Sequence, residues 1–251
     1  MHGGQRRARR TALGAALLAI TLGGLAAAEP LRPVEDFREG GLDASRWQRT
    51  LDGDIWDWSV DVVDAGRPGA PDFRLRLRAD TRGARDDTVK HLGVRSARPI
   101  SLGDGSWISV QVHWGEQANA SYLTAAVVLS PHATLGNPLQ TPEWLQVAYV
   151  GVPPGRNARM IAAFRTRGRE RTVFTEGWPD VNRGGRRIGV QEVSVRVRGA
   201  SFEVWEGRQR IWASRPGEIS FGAGYLYLQM SSHSNYPARS VSFDDIRVDE
   251  R

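Results

Sequence analysis

Beyond residue 30 the apolar residues recur at every second position, and no stretch sustains a helical stripe. Phe73, Leu75 and Leu77 alternate with Arg74, Arg76 and Arg78. Ile108, Val110 and Val112 alternate with Trp107, Ser109, Gln111 and His113. Val193, Val195 and Val197 alternate with Ser194, Arg196 and Arg198, and Leu226, Leu228 and Met230 with Tyr225, Tyr227 and Gln229. In an extended chain, successive side chains point to opposite faces, so each run has one face for a core and one for solvent. Turn clusters such as Gly66-Arg67-Pro68-Gly69, Gly103-Asp104-Gly105, Pro153-Pro154-Gly155 and Gly184-Gly185 separate the runs. Many short strands with this punctuation predict an all-β antiparallel sandwich or barrel. No Gly/Ser linker or internal repeat divides the chain, so residues 29–251 are expected to form one domain.

The chain of 251 residues has no Cys. That excludes disulfides, thiolate metal sites, a Cys nucleophile and a lipid anchor on Cys, and leaves the apolar core to hold the fold. His91, His132 and His233 lack paired metal-ligand spacing, so no transition-metal site is expected.

The formal charge of +6 is misleading. Residues 1–10 carry Arg6, Arg7, Arg9 and Arg10 with no acid, Thr11 to Leu25 is apolar, and Ala26-Ala27-Ala28 precedes Glu29-Pro30. A basic start, a short apolar run and an A-x-A site describe a signal peptide over 1–28. Arg9-Arg10 weakly resembles a twin-arginine signal, so general secretion and the twin-arginine route both stay open. Cleavage removes four Arg and lowers the charge from +6 to +2. The expected product is secreted or periplasmic, without a stable membrane anchor, and monomeric. Export and a charge of +2 speak against nucleic acid. The remaining charge is uneven, with eleven acids against seven Arg from Glu35 to Asp80 and eleven Arg against four acids from Arg156 to Arg198. Nine Trp outnumber seven Phe and five Tyr, and a Trp surplus serves both cores and sugar sites.

The order of several segments resembles the concanavalin A-like lectin/glucanase superfamily. Val34-Glu35-Asp36-Phe37 followed by Gly41-Leu42-Asp43-Ala44-Ser45-Arg46-Trp47 resembles its opening. Leu92 to Arg98 followed by Gly103 to Trp114 resembles its next strand pair. Val204-Trp205-Glu206-Gly207-Arg208-Gln209-Arg210-Ile211 resembles its late hairpin and Ser242 to Val248 its closing strand. The resemblance spans about 34–249 and implies a two-sheet antiparallel jelly-roll sandwich with a glycan-holding concave face. Hydrolases of glycoside hydrolase family sixteen carry Glu-x-Asp-x-x-Glu on one concave strand. The matching run, Glu143-Trp144-Leu145-Gln146-Val147-Ala148-Tyr149-Val150, has no carboxyl after Glu143. Retaining hydrolysis needs two carboxyls about the bond, so that chemistry is not expected.

Gln111-Val112-His113 resembles a pattern of the family-seven polysaccharide lyases, where Gln and His share a strand face and a Tyr on another strand completes the site. β-Elimination needs a group that relieves the uronate carboxylate charge, a base for the C5 proton and an acid for the leaving oxygen. The resemblance makes Gln111, His113 and Tyr225 or Tyr227 candidate catalytic residues, with Arg95 or Arg98 as carboxylate clamp. Arg95-Ser96-Ala97-Arg98 lacks the Glu and Leu of that family's Arg-x-Glu-Leu-Arg element, and Gly224 to Gln229 lacks its Lys. Trp107, Gln146, Gln229, His233, Asn235 and Tyr236 are further candidates for sugar contact, with Trp56 and Trp58 on one face if residues 54–58 are extended, and Trp144 and Trp178 near loops. No cofactor is required. The superfamily resemblance implies a structural Ca2+ between the chain start and the closing strand, with Asp245 paired to Asp36 or Glu35. Asp244-Asp245 alternatively forms a bulge. Two functions follow as expectations: an exported polysaccharide- or oligosaccharide-binding module, or a lyase acting on a uronate-containing glycan. A structural envelope role is weaker.

Overall fold

A computed structural model describes residues 34–84, 88–114, 121–152, 157–175, 186–187 and 189–251. The predicted leader, Trp178 and the turns at Pro153-Pro154-Gly155 and Gly184-Gly185 lie outside them.

The described residues form seventeen strands, in chain order β1 (Val34–Glu35), β2 (Trp47–Asp52), β3 (Asp57–Asp64), β4 (Phe73–Asp80), β5 (Val89–Ser96), β6 (Ile100–Ser101), β7 (Trp107–Trp114), β8 (Leu123–Ser130), β9 (Trp144–Val152), β10 (Asn157–Thr166), β11 (Arg169–Thr175), β12 (Arg186–Arg187), β13 (Gly189–Arg198), β14 (Ser201–Glu206), β15 (Gln209–Ala213), β16 (Ala223–His233) and β17 (Arg239–Asp249). Among the described residues the single helical element is a 3-10 turn at Pro138–Gln140. Among the described residues every strand pairing is antiparallel.

The strands form two sheets. The first runs β15-β14-β13-β7-β17-β4-β3, with β1 also on β17. The second runs β11-β10-β9-β8-β16-β5-β2, with β12 on β10 and β6 on β16. This is the two-sheet sandwich that the sequence predicts. The aliphatic halves of the alternating runs meet between the sheets: Leu75, Leu77, Val110, Val112, Val193 and Phe243 from the first, Leu92, Val94, Val127, Leu145, Leu226 and Leu228 from the second. Each such side chain contributes about 1.5–3 kcal/mol on leaving water, which suffices without disulfides.

The polar halves face outward, and each sheet has its own outer face. On the first sheet that face carries arginine–carboxylate pairs such as Arg78 with Asp57 at 2.8 Å. Charged pairs along β3 and β4 also guard that edge against further strand addition. The closing strand is bulged between Asp244 and Arg247, with Asp245 at φ 46°, so the alternative reading of Asp244-Asp245 as a bulge describes the chain. Trp56 and Trp58 do not share a face. Strand β3 begins at Asp57, leaving Trp56 exposed while Trp58 packs against the core.

Candidate functional site

The outer face of the second sheet is built from alternate residues of seven strands. Its central rows are fixed by register: Arg95 beside Tyr227 beside Val128 beside Gln146, then Gly93, Gln229, Ala126 and Ala148, then His91, Ser231, Thr124 and Val150. The first two rows are largely covered. The segment between β8 and β9 folds back over them, and Leu139 packs on a small cluster of Val128, Trp144, Ala148, Ala163 and Tyr227. His91, Thr124 and Val150 of the third row, with Asp52 beside His91, stay half-buried and form the open strip of this face, while Gln146 is half-buried apart from them, beyond the covered second row.

Hydrogen bonds hold the covering segment. The backbone N–H of Leu51 donates to Leu135 O at 2.8 Å. Trp144 Nε1 donates to Leu139 O at 3.0 Å. The Tyr227 hydroxyl donates to His132 O at 2.7 Å and accepts from the Thr134 N–H at 2.9 Å. Burial raises the Tyr227 pKa above the usual phenol range. Asn137 is the centre of a longer chain. Its Oδ1 accepts from Leu139 N at 3.0 Å and Gln229 Nε2 at 3.3 Å, which fixes its amide orientation. Its Nδ2 therefore donates to His91 Nε2, 3.1 Å away. The remaining proton of neutral His91 is on Nδ1 and goes to Ser231 Oγ at 2.8 Å. Burial keeps His91 neutral by lowering its pKa to about 4. A histidine that donates to a serine cannot take that serine's proton, so His91 and Ser231 form no nucleophilic dyad.

The predicted residues separate accordingly. Gln111 and His113 lie on β7 in the first sheet, whereas Tyr225 and Tyr227 lie on β16 in the second. All four point away from the core between the sheets, so they occupy opposite sides of the sandwich and do not assemble one elimination site. Period-two alternation tells which residues share a strand face but not which sheet receives the strand. Gln111 Nε2 donates to Asp245 Oδ2 at 2.7 Å. His113 lines a small recess of about 240 Å3 with Arg74, Arg76 and Ser242. Arg95 is engaged within the fold: it donates to Ser96 O at 2.9 Å and to Gln48 Oε1 at 2.5 Å, and stacks 4.8 Å over Tyr225. Arg98 is exposed. Gln229 is buried beneath the covering segment, while Gln146 is half-buried on the same face. Trp107 belongs to the outer face of the first sheet.

His233, Asn235 and Tyr236 do come together, at the end of β16. Thr81 clamps the loop, donating from Oγ1 to His233 O at 2.7 Å and accepting from Tyr236 N at 3.1 Å. Asn235 takes φ 66°, a left-handed turn position that Asn tolerates. Tyr122 joins them, 6.4 Å from both the His233 and Tyr236 rings and half exposed. Arg239 lies beneath, 3.9 Å from the Tyr236 ring centre, its pKa lowered to about 10 by burial. Sequence patterning missed Tyr122, His91 and Asn137, because each gains its role from a segment distant in the chain.

Carboxylates are sparse on this face. Strand β9 presents Trp144, Gln146, Ala148 and Val150 outward, while Leu145, Val147 and Tyr149 enter the core. Among the described strand residues the acids on this face are Asp52 on β2 and Glu170 on β11, the two edge strands. Six strand spacings of about 4.8 Å separate them by roughly 29 Å across the sheet, and they are also offset along the strands. Paired carboxyls for glycoside hydrolysis stand about 5–10 Å apart.

Near the chain start, Glu35 lies opposite Ile246 in the ladder. Its carboxylate is 3.8 Å from Arg46, Asp36 is 2.9 Å from Arg38, and Asp245 is 3.6 Å from Arg247. Guanidinium groups thus engage each carboxylate proposed for Ca2+. Among the described residues no three His, Asp or Glu side chains gather as metal ligands.

No protein-family model matches the chain, and no curated protein matches its sequence. Solved structures do match in shape. A Bacteroides ovatus glycoside hydrolase family sixteen protein, solved with a mixed-linkage glucan product, superposes with TM-score 0.61 at 10% identity, over 86% of this chain and 98% of its own. The β-glucanase of Bacillus licheniformis gives 0.55 at 13% identity, over 87% and 97%. The catalytic domain of a Thermotoga petrophila endo-1,3-β-glucanase gives 0.57 at 12%, over 87% and 96%. The chain has the concanavalin A-like jelly-roll fold of these glucanases.

Proposed function

We propose that the protein is an exported, polysaccharide-binding jelly roll that holds a glycan on the outer face of its second sheet without cleaving it. The outward face of β9 carries this reading, with Trp144, Gln146 and Ala148 where hydrolysis would require paired carboxylates. The open strip suits sugar hydroxyls: Thr124 and Asp52 offer donors and acceptors, Tyr122 offers an exposed ring near its end, and Gln146 adds a half-buried amide elsewhere on the same face. The glucan product bound by the similar Bacteroides ovatus protein supports a carbohydrate ligand. Export rests on the Arg-rich start, the apolar run and Ala26-Ala27-Ala28. The lyase alternative loses its supporting arrangement, since Gln111 and His113 lie on the opposite side of the sandwich from Tyr225 and Tyr227.

Affinity electrophoresis over a panel of neutral and uronate-containing polysaccharides tests the proposal, with reducing ends and ultraviolet absorbance of unsaturated products scored in parallel. The expected result is retardation by at least one glycan, weakened in Gln146→Ala, with neither product signal. No retardation on any glycan, or new reducing ends or unsaturation, would overturn it.

A further inference from the structure

The outer face of the first sheet contains a second site. Ser109 on β7 and Ser194 on β13 lie directly opposite each other, both nearly buried. Large side chains surround them. Trp205 faces Ser194 from β14, Arg247 faces Ser109 from β17, and Trp107 and Arg196 form the next cross-strand pair. Two small residues amid long ones leave a trough of about 640 Å3, within the size range of small-ligand clefts.

The charge of the trough selects its ligand. Arg196, Arg198 and Arg247 line it against Asp104 and Glu192. Both carboxylates already accept local hydrogen bonds, Asp104 from Gly199 N at 2.7 Å and Glu192 from Ser109 Oγ at 2.9 Å. Arg198 and Arg247 are exposed and reach Glu203 and Asp245 only at 3.5 and 3.6 Å, contacts that compete weakly with a ligand. Arg196 stacks 4.4 Å over the Trp205 ring, and among the described residues no carboxylate lies within ion-pairing distance of it. The Trp107 ring is held at the rim by donation from Nε1 to Asp249 at 3.2 Å.

We infer that this trough binds an anionic oligosaccharide. A sugar ring packs its C–H face on Trp107, and its carboxylate or sulfate accepts from the planar forks of Arg196 and Arg247. A neutral glucan would displace water from these guanidinium groups without offering them an anion. Because the trough lies on the opposite side of the sandwich from the open strip, this inference stands or falls separately from the proposed function.

The test is titration calorimetry on the full chain with three probes: oligogalacturonate for carboxylate, a sulfated galactan oligosaccharide for sulfate, and a laminarin oligosaccharide as neutral control. At least one anionic probe should bind. Its affinity should fall roughly tenfold in Arg196→Gln and in Arg247→Gln and stay within twofold in Arg169→Gln, an exposed arginine of β11 on the other sheet that carries the same charge change. Raising the salt from about 50 to 300 mM should weaken wild-type binding severalfold, a readout that needs no variant. Thermal melts establish that the variants are folded. Failure of both anionic probes to bind, binding insensitive to salt, or affinity unchanged in both folded Arg variants would overturn the inference.

Discussion

The side-chain amide of Asn137 lies 3.1 Å from Nε2 of His91, joining the segment that follows β8 to the middle of β5. The same Asn137 caps the 3-10 turn through Leu139 N and receives Gln229 Nε2. Asn137→Ala strands three buried or half-buried polar groups, each costing about 1–3 kcal/mol when unpaired. The expected loss of stability is about 2–4 kcal/mol by urea denaturation, with faster proteolysis inside residues 131–143 of the native protein. Unchanged stability and proteolysis would mean that this network does not hold the segment.

The acid response contains two opposed contributions. Burial lowers the His91 pKa from 6.5 to about 4. Its contribution is therefore present above the unfolded value and is lost as pH falls from about 6.5 toward 4. Burial raises the Asp244 pKa from 3.8 to about 6, so its contribution is full below 3.8 and is lost as pH rises toward 6. The two oppose each other between about pH 4 and 6. Relative to wild type, Asp244→Asn should make stability fall more steeply on acidification across this window, and His91→Gln less steeply. Denaturation series at half-unit pH steps check this, and parallel curves for all three proteins would refute it.

The Tyr227 hydroxyl, a candidate proton donor for elimination by sequence, has a structural duty that Tyr227→Phe removes. Its loss leaves His132 O without its donor and Thr134 N without its acceptor beneath the covering segment. A destabilisation of about 1–3 kcal/mol is expected, with binding of an anionic oligosaccharide to the first sheet unaffected. Calorimetric melts and titration separate the two effects. A variant as stable as wild type would remove the hydroxyl from the fastening of the segment.

Lys90 is the sole lysine and is 1% exposed, with Nζ 2.8 Å from Asp54 and 2.9 Å from Thr88 Oγ1. An amine-directed ester should leave Lys90 unmodified in the native protein and label it fully in denaturant, as read by peptide mass spectrometry. Rapid labelling under native conditions would contradict its burial. The site thus doubles as a probe of global opening.

Much of the fold was legible because β-sandwich cores impose a local rule. Leu75, Leu77, Val110, Val112, Leu226 and Leu228 are core residues in the structure, as their alternation predicts. The absent carboxylates of β9 were equally legible, since the run from Trp144 to Val150 contains none. The candidate site was legible only in fragments. His233, Asn235 and Tyr236 share a loop and meet because they are neighbours in sequence, but Tyr122 joins them from more than a hundred residues away.

The sequence by itself determined which side chains point inward on each strand, because the two-residue repeat of an extended backbone is local. Only the tertiary structure decided where each strand went. It sent Gln111 and His113 to one sheet and Tyr225 and Tyr227 to the other, and it laid residues 131–143 over Tyr227 and Gln229. Those outcomes depend on pairing between strands far apart in the chain, such as β16 with β5 and β7 with β17. Such pairing is set by the summed packing of the whole core, which no local pattern encodes.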